Sequence, residues 1–145
     1  YTFQSLACIT RINRLIAAIL HSPKEYIFID RSLKGDLIFA KMLYDDSVIN
    51  DIEWQSYNEI IKLFEDNYGN LIDSKIIYLR CEPNVSYDRI KKRSRDAETD
   101  IPYEYIMGVH KYHDELLLNN DNVVVVDVTD DFINTNKCNE IIKLI

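Results

Sequence analysis

Three short apolar runs constrain the fold more than anything else in the chain: Tyr26–Ile29, Ile76–Leu79 and Val123–Val128. Continuous apolar runs that stop at polar residues read as buried strands of a parallel sheet. Helical spacing fills the intervals. Residues 2–20 place Phe3, Leu6, Ala7, Ile9, Ile12, Leu15, Ile16 and Ile19 at helical positions, and His21-Ser22-Pro23 stops the pattern. Further helices are expected over Leu37–Tyr44, from Asp51 to about Asn67, from Asn84 to about Arg95, from Pro102 to about Leu118, and over Phe132–Ile145. Alternating strands and helices predict a parallel α/β sheet.

Composition narrows the function. The 145 residues suffice for one domain with a real core, and 47% hydrophobic with 28% charged residues is ordinary for a soluble globular chain. A net charge of −7 disfavours general binding to a nucleic acid backbone. No continuous apolar run is long enough to span a bilayer, and no signal-peptide pattern is visible. Cys8, Cys81 and Cys138 lie far apart without metal-ligand spacing, which suits reduced thiols in an intracellular, most simply cytoplasmic, protein. The chain opens at Tyr1 rather than Met, and its first residues already read as the inside of an element, so an N-terminal piece is expected to be missing.

Three groups of residues carry candidate chemistry. Asp30-Arg31 follows the first apolar run, and open α/β sheets bind ligands beyond the carboxyl ends of their strands. A carboxylate there suits a metal ion or a hydroxyl, and a guanidinium suits phosphate oxygens; a strand-end ion pair without function is the alternative. Arg89, Lys91, Lys92, Arg93 and Arg95 put five cations into seven residues of an acidic chain, with Arg89 and Arg93 on one helical face. That cluster suits a polyphosphate, or else a solvated helix end. Gln4 beside Phe3 suits a heterocycle, an amide pairing with the base edge while a ring stacks, and Arg11 lies two turns further on roughly the same face. A polar helix stripe is the plainer reading. Gly35, Gly69 and Gly108 stand too far apart to make a phosphate-binding P-loop, and the three histidines form no metal pattern.

Taken together, Thr2–Ile12, Ile29–Ser32 with Ile38–Tyr44, and Ile76–Arg80 with Pro83, Arg89–Glu98 and Ile101–Tyr105 resemble the deoxynucleoside kinases. The likeness is greatest to the deoxycytidine/deoxyguanosine kinase branch and its viral relatives. It runs in order along nearly the whole chain. It implies a three-layer α/β fold of the P-loop kinase class over residues 1–145, and transfer of the ATP γ-phosphate to the 5′-hydroxyl of a deoxynucleoside with Mg²⁺. A homodimer is expected, with neither nucleic acid nor membrane as partner.

The resemblance also implies roles. Gln4 pairs with the nucleobase, with Phe3 beside it; Arg11, Asp36 and Phe39 join the substrate site. Asp30 stands near Mg²⁺, and Arg31 contacts the 5′-hydroxyl and phosphate. Arg89, Arg93 and Arg95 match lid arginines that close over the ATP phosphates, Glu98 matches the carboxylate that accepts the 3′-hydroxyl, and Asp131-Phe132 matches the loop that holds adenine. Asp30 replaces the family's Glu, Ala97 replaces the first of two lid glutamates, and the stretch from Arg31 to Phe39 is one residue shorter than the family pattern. The P-loop and the general-base Glu of the family would precede Tyr1, so this segment alone is expected to be inactive. The alternatives are a non-catalytic, kinase-like subunit that binds nucleotide or regulates a catalytic sister chain, and an α/β domain for another phosphorylated ligand.

Overall fold

The computed structural model describes residues 1–24, 26–69, 74–130 and 139. They belong to two compact units, Tyr1–Ser74 and Lys75–Ile145.

The first unit is built on three helices. Helix α1, Thr2–His21, buries Cys8, Ile12 and Leu15, which recur at intervals of four and three and so share one face. It ends at Ser22 in extended conformation, as the residue before Pro23 is sterically driven to do. Helix α2, Leu33–Asp45, begins four residues before the sequence pattern suggested, because the Ser32 side chain caps it by accepting from the Gly35 amide at 3.1 Å. Helix α3, Asp51–Tyr68, opens with a capping box in which Asn50 and Glu53 satisfy each other's backbone amides. Cys8, Ile12, Leu15, Ala40, Tyr57, Ile61 and Phe64 form the core between these helices.

One expectation is corrected here. The run Tyr26–Ile29 is not a strand: it has no ladder partner among the described residues, and its side chains are 41–74% exposed. An apolar run becomes a strand only when a neighbour takes up its amides and carbonyls. By length and composition, α1 is also apolar enough to cross a membrane, although no uninterrupted apolar run in it is that long. Its buried face packs into the core of this unit.

The second unit is a β-α-β arrangement. Strand β1, Ile76–Arg80, pairs in parallel with β2, Val123–Asp127, in a register running from Ile76 opposite Val123 to Arg80 opposite Asp127. A parallel pair needs a long crossover. Helix α4, Pro83–Arg93, a 3₁₀ turn over Asp96–Glu98, and helix α5, Tyr103–Leu117, supply it. Pro83 sits in the first turn of α4, where its missing amide hydrogen is not needed. Lys91, Lys92 and Arg93 occupy the last turn, where cations suit the helix dipole, and Ser94 ends the helix in the left-handed region at φ 50°. The helix expected over Phe132–Ile145 lies outside the described residues, apart from Asn139, which is helical.

A side-chain network straps β1 to α5. Arg80 holds the Asp114 carboxylate through Nε and Nη2, at 3.0 and 2.9 Å, while its Nη1 reaches Glu82 at 2.6 Å. The Tyr78 hydroxyl donates to Asp114 Oδ1 at 2.9 Å, the oxygen that Arg80 Nε also reaches, and His110 Nε2 lies 3.2 Å from Oδ2. Burial alone would raise the Asp114 pKa, but the bonds from Arg80 and Tyr78 and the His110 and Arg80 charges outweigh it and hold it below the usual carboxylate value. Burial pushes the Tyr78 hydroxyl up, and its bond to Asp114 pushes it further.

Candidate functional site

In the first unit, the candidate residues of α1, α2 and the turn before α2 meet around one guanidinium. Arg11 Nε donates to Asp36 Oδ2 at 2.6 Å. Its Nη1 donates to the backbone carbonyls of Asp30 and Arg31 at 2.6 and 3.0 Å. Asp36 is 5% exposed, the one buried charged residue among those described. Its backbone amide is fixed by the Ser32 carbonyl in the first turn of α2. The shorter stretch between Arg31 and Phe39 therefore still delivers Asp36 to Arg11.

Beneath the pair lie Cys8 and Tyr57, both fully buried. The Tyr57 hydroxyl has no well-formed hydrogen-bond partner among the described residues. Burial, and then neighbouring Cys8 and Asp36, push its pKa far up, and burial also raises the Cys8 thiol. Both stay neutral, and neither competes with Asp36 for the charge of Arg11. Nothing in the spacing of these residues marked them as a floor for the site.

Arg31 has φ 68°, in the left-handed region that disfavours a residue with a Cβ by about 1–2 kcal/mol. The Arg11 bonds to the carbonyls on either side hold that turn. The Arg31 guanidinium rests over the Phe39 ring at 4.6 Å, a contact worth about 0.5–1 kcal/mol at an exposed site. Gly35 makes the approach possible: a Cβ there would lie 2.8 Å from Arg31 Cγ. The Asp30 side chain is exposed. Magnesium commonly takes one or two protein carboxylates and completes its shell with phosphates and water, so a single open Asp30 fits that ion. No group of three or more His, Cys, Asp or Glu that could hold a metal occurs among the described residues.

Phe3 is 76% exposed and lines an open groove of about 330 Å³ on α1 with Leu6, Ala7, Thr10, Arg11 and Arg14. Gln4 is half-buried one position on, one turn before Cys8 and two before Arg11. Its amide makes no hydrogen bond among the described residues.

In the second unit, the five cations do not behave alike. Arg93 donates to Glu98 Oε2 through Nε and Nη2, at 3.1 and 2.6 Å, and Arg95 lies 3.7 Å from Oε1. Both arginines are exposed, their side chains 48% and 65%. Lys91 reaches the Thr99 carbonyl at 2.9 Å. Arg89 is half-buried and donates to three backbone carbonyls beyond β2, those of Val128, Thr129 and Asp130. Asp131 and Phe132 lie outside the described residues.

The family model described as "Deoxynucleoside kinase" matches residues 1–145, and the chain belongs to that family. It is 32% identical to deoxycytidine kinase of Bos taurus over 149 residues, covering 91% of this chain and 57% of that protein. It is 38% identical to a probable deoxycytidine kinase of fowlpox virus over 122 residues, covering 83% of this chain and 51% of the viral protein. The chain thus spans little more than half of these relatives. A solved deoxyadenosine kinase from M. mycoides, with its products dCMP and dCDP bound, superposes with a TM-score of 0.75 at 28% identity, covering 99% of this chain and 72% of that one. The chain has the α/β fold of the P-loop kinases; its described residues contribute two strands of the parallel sheet.

Proposed function

We propose that this chain is the larger part of a single-domain, ATP-dependent deoxynucleoside kinase that phosphorylates the 5′-hydroxyl and acts inside the cell as a homodimer. The observation that carries this reading is the Arg11 cluster. One guanidinium joins Asp36, a buried acid on α2, to the carbonyls that shape the Asp30-Arg31 turn. A pair that recognises a ligand is thereby tied to a pair that handles phosphate.

Phosphoryl transfer is mostly positioning and charge neutralisation. Gln4 offers the base edge an amide that makes no hydrogen bond among the described residues, and Phe3 an open ring face. Arg11 and Asp36 present fixed donors and acceptors to the same base. Phe39 keeps the Arg31 guanidinium extended toward the reacting oxygen and the transferred phosphate. Bound Mg²⁺ would neutralise phosphate charge beside Asp30. In the second unit, Arg93 and Arg95 exchange Glu98 for ATP phosphates, Glu98 turns to the 3′-hydroxyl, and the lid excludes water. The Asp131-Phe132 loop receives adenine.

The test is transfer of labelled γ-phosphate from ATP to each of four deoxynucleosides by the full-length protein, with the product identified as a 5′-monophosphate. Absence of transfer to all four, with folded protein and Mg²⁺ present, would refute the reading.

A further inference from the structure

Lys91 sits in the middle of the run of cations on α4, yet it does not share a face with the arginines on either side. Residues two apart on a helix point away from each other, so Arg89 and Arg93 project from one side of α4 and Lys91 from another. The Lys91 ammonium lies 5.1 Å from the centre of the Tyr87 ring, one turn back, and donates to the Thr99 carbonyl at 2.9 Å. The Tyr87 ring in turn meets Tyr103, at the start of α5, in a T-shaped contact with ring centres 5.4 Å apart. Together these contacts close the return of the chain from α4 to α5. Ser94 turns the chain into that return from the left-handed region, and its hydroxyl donates to the Lys91 carbonyl at 2.7 Å. The carbonyl that Lys91 holds is one residue beyond Glu98, whose carboxylate meets Arg93 and Arg95.

Lys91 and the arginines therefore have partners of different kinds. The arginines hold a carboxylate, which a phosphate replaces charge for charge. Lys91 holds a neutral carbonyl and a ring, and both Lys91 and Thr99 are exposed, so water weakens the contact. A weak, local tie of this kind suits a turn that opens and closes. We infer that Lys91 is a positioning residue, a latch that keeps the Glu98 turn against the end of α4, and not a phosphate ligand. Its consequence for catalysis rests on the kinase reading above, in which ATP phosphates take Arg93 and Arg95 from Glu98. The latch holds Glu98 within reach of the arginines and so lowers the fraction of protein ready to accept ATP, and a ligand's apparent affinity falls with that fraction. Loss of the latch therefore tightens ATP, whereas loss of a phosphate ligand weakens it.

Two measurements on the full-length protein test this, with Lys92→Met as the control that loses the same charge from the next position. In the first, amide hydrogen exchange over residues 96–101 is compared without ligand in wild type, Lys91→Met, Tyr87→Leu and Lys92→Met. Tyr87→Leu keeps every cation but removes the ring beside Lys91. Lys91→Met and Tyr87→Leu are each expected to exchange about threefold faster or more there, with Lys92→Met unchanged. Unchanged exchange in Lys91→Met, or an equal rise in Lys92→Met, overturns the latch. In the second, KM for ATP and KM for the nucleoside are measured in Lys91→Met and Lys92→Met. Lys91→Met is expected to have a KM for ATP about threefold below that of Lys92→Met, with the same KM for the nucleoside. An equal KM for ATP returns Lys91 to the solvated cations, and a higher one makes it a phosphate ligand; either result overturns the proposal. Wild-type protein that phosphorylates no deoxynucleoside refutes the kinase reading, and the exchange measurement then judges the latch by itself.

Discussion

The Arg11 cluster in the first unit and the Arg93–Glu98 pair in the second use the same two chemical groups to opposite ends. Arg11 meets a carboxylate that is almost wholly buried and braces two carbonyls besides. Arg93, itself exposed, meets the half-buried Glu98 carboxylate on a 3₁₀ turn that follows a left-handed Ser94. Breaking the first leaves a buried charge without a partner, which is costly. Breaking the second costs less, because the Arg93 side chain is about half exposed and Glu98 keeps some access to water. In the proposed kinase, the first pair would belong to a rigid recognition surface and the second to a lid that changes partners. Sequence alone gives each as an arginine and an acid; burial separates them.

The largest expected effect tests what the rigid cluster is for. In the full-length protein, Arg31→Ala should lower kcat by about 10²–10³, comparable to loss of an oxyanion-hole donor, with thermal unfolding unchanged. Near-normal turnover in that variant would remove Arg31 from the reaction.

Stability should separate the two ion pairs next. Asp36→Ala leaves Arg11 unpaired; removing one partner of a buried pair costs about 3–5 kcal/mol, and because Arg11 retains access to water we expect about 2 kcal/mol. Arg93→Ala should stay within about 0.5 kcal/mol, as exposed substitutions do. Denaturant titration of both variants checks the contrast, which collapses if the two losses are equal.

The lid should instead reveal itself through ligands. A 2′,3′-dideoxynucleoside should be a worse substrate than its 2′-deoxy counterpart. A charge-assisted bond to the 3′-hydroxyl contributes about 1.5–3 kcal/mol, and the lower end applies because Arg93 competes for the same carboxylate. Glu98→Ala should shrink that difference, forming a double-mutant cycle with the hydroxyl as one mutated group. An equal preference in mutant and wild type would leave Glu98 as a surface partner of Arg93 alone. Arg93→Ala and Arg95→Ala should each lower kcat/KM for ATP, and wild-type ATP binding should weaken with salt, since exposed charges are screened over about 8–10 Å. Wild-type ATP kinetics in both variants would make the arginines a solvated helix end.

The smallest expected effect concerns pH. Asp114 has a folded pKa below its unfolded value, so the Arg80 strap stabilises the fold above the unfolded carboxylate pKa of about 3.9 and loses that contribution as pH falls through the folded pKa. Acid unfolding of Asp114→Asn should therefore be less steep in pH than that of the wild type. Identical acid profiles would show that the strap contributes nothing through this carboxylate.

Local pattern was sufficient for much of this protein. The extents of α1, α3, β1 and β2 follow from apolar periodicity and breakers to within a residue or two, because those signals act between neighbours in the chain. The motifs around Gln4, Arg31 and Arg93 were enough to suggest the family to which the chain belongs. Tertiary structure decided the rest. Tyr26–Ile29 has the composition of a strand, but a ladder requires a second chain segment that composition does not supply. Asp36 is paired with Arg11 across 25 residues, and Arg80 with Asp114 across 34; His110 and Asp114 stand one turn apart on α5, yet only the fold turns Arg80 toward them. Arg89 and Arg93 share a helical face in the sequence, but one finds three backbone carbonyls and the other the Glu98 carboxylate on a 3₁₀ turn. A guanidinium's charge is written in the chain; which oxygens it meets, and whether water can replace them, is settled only by what the fold packs around it.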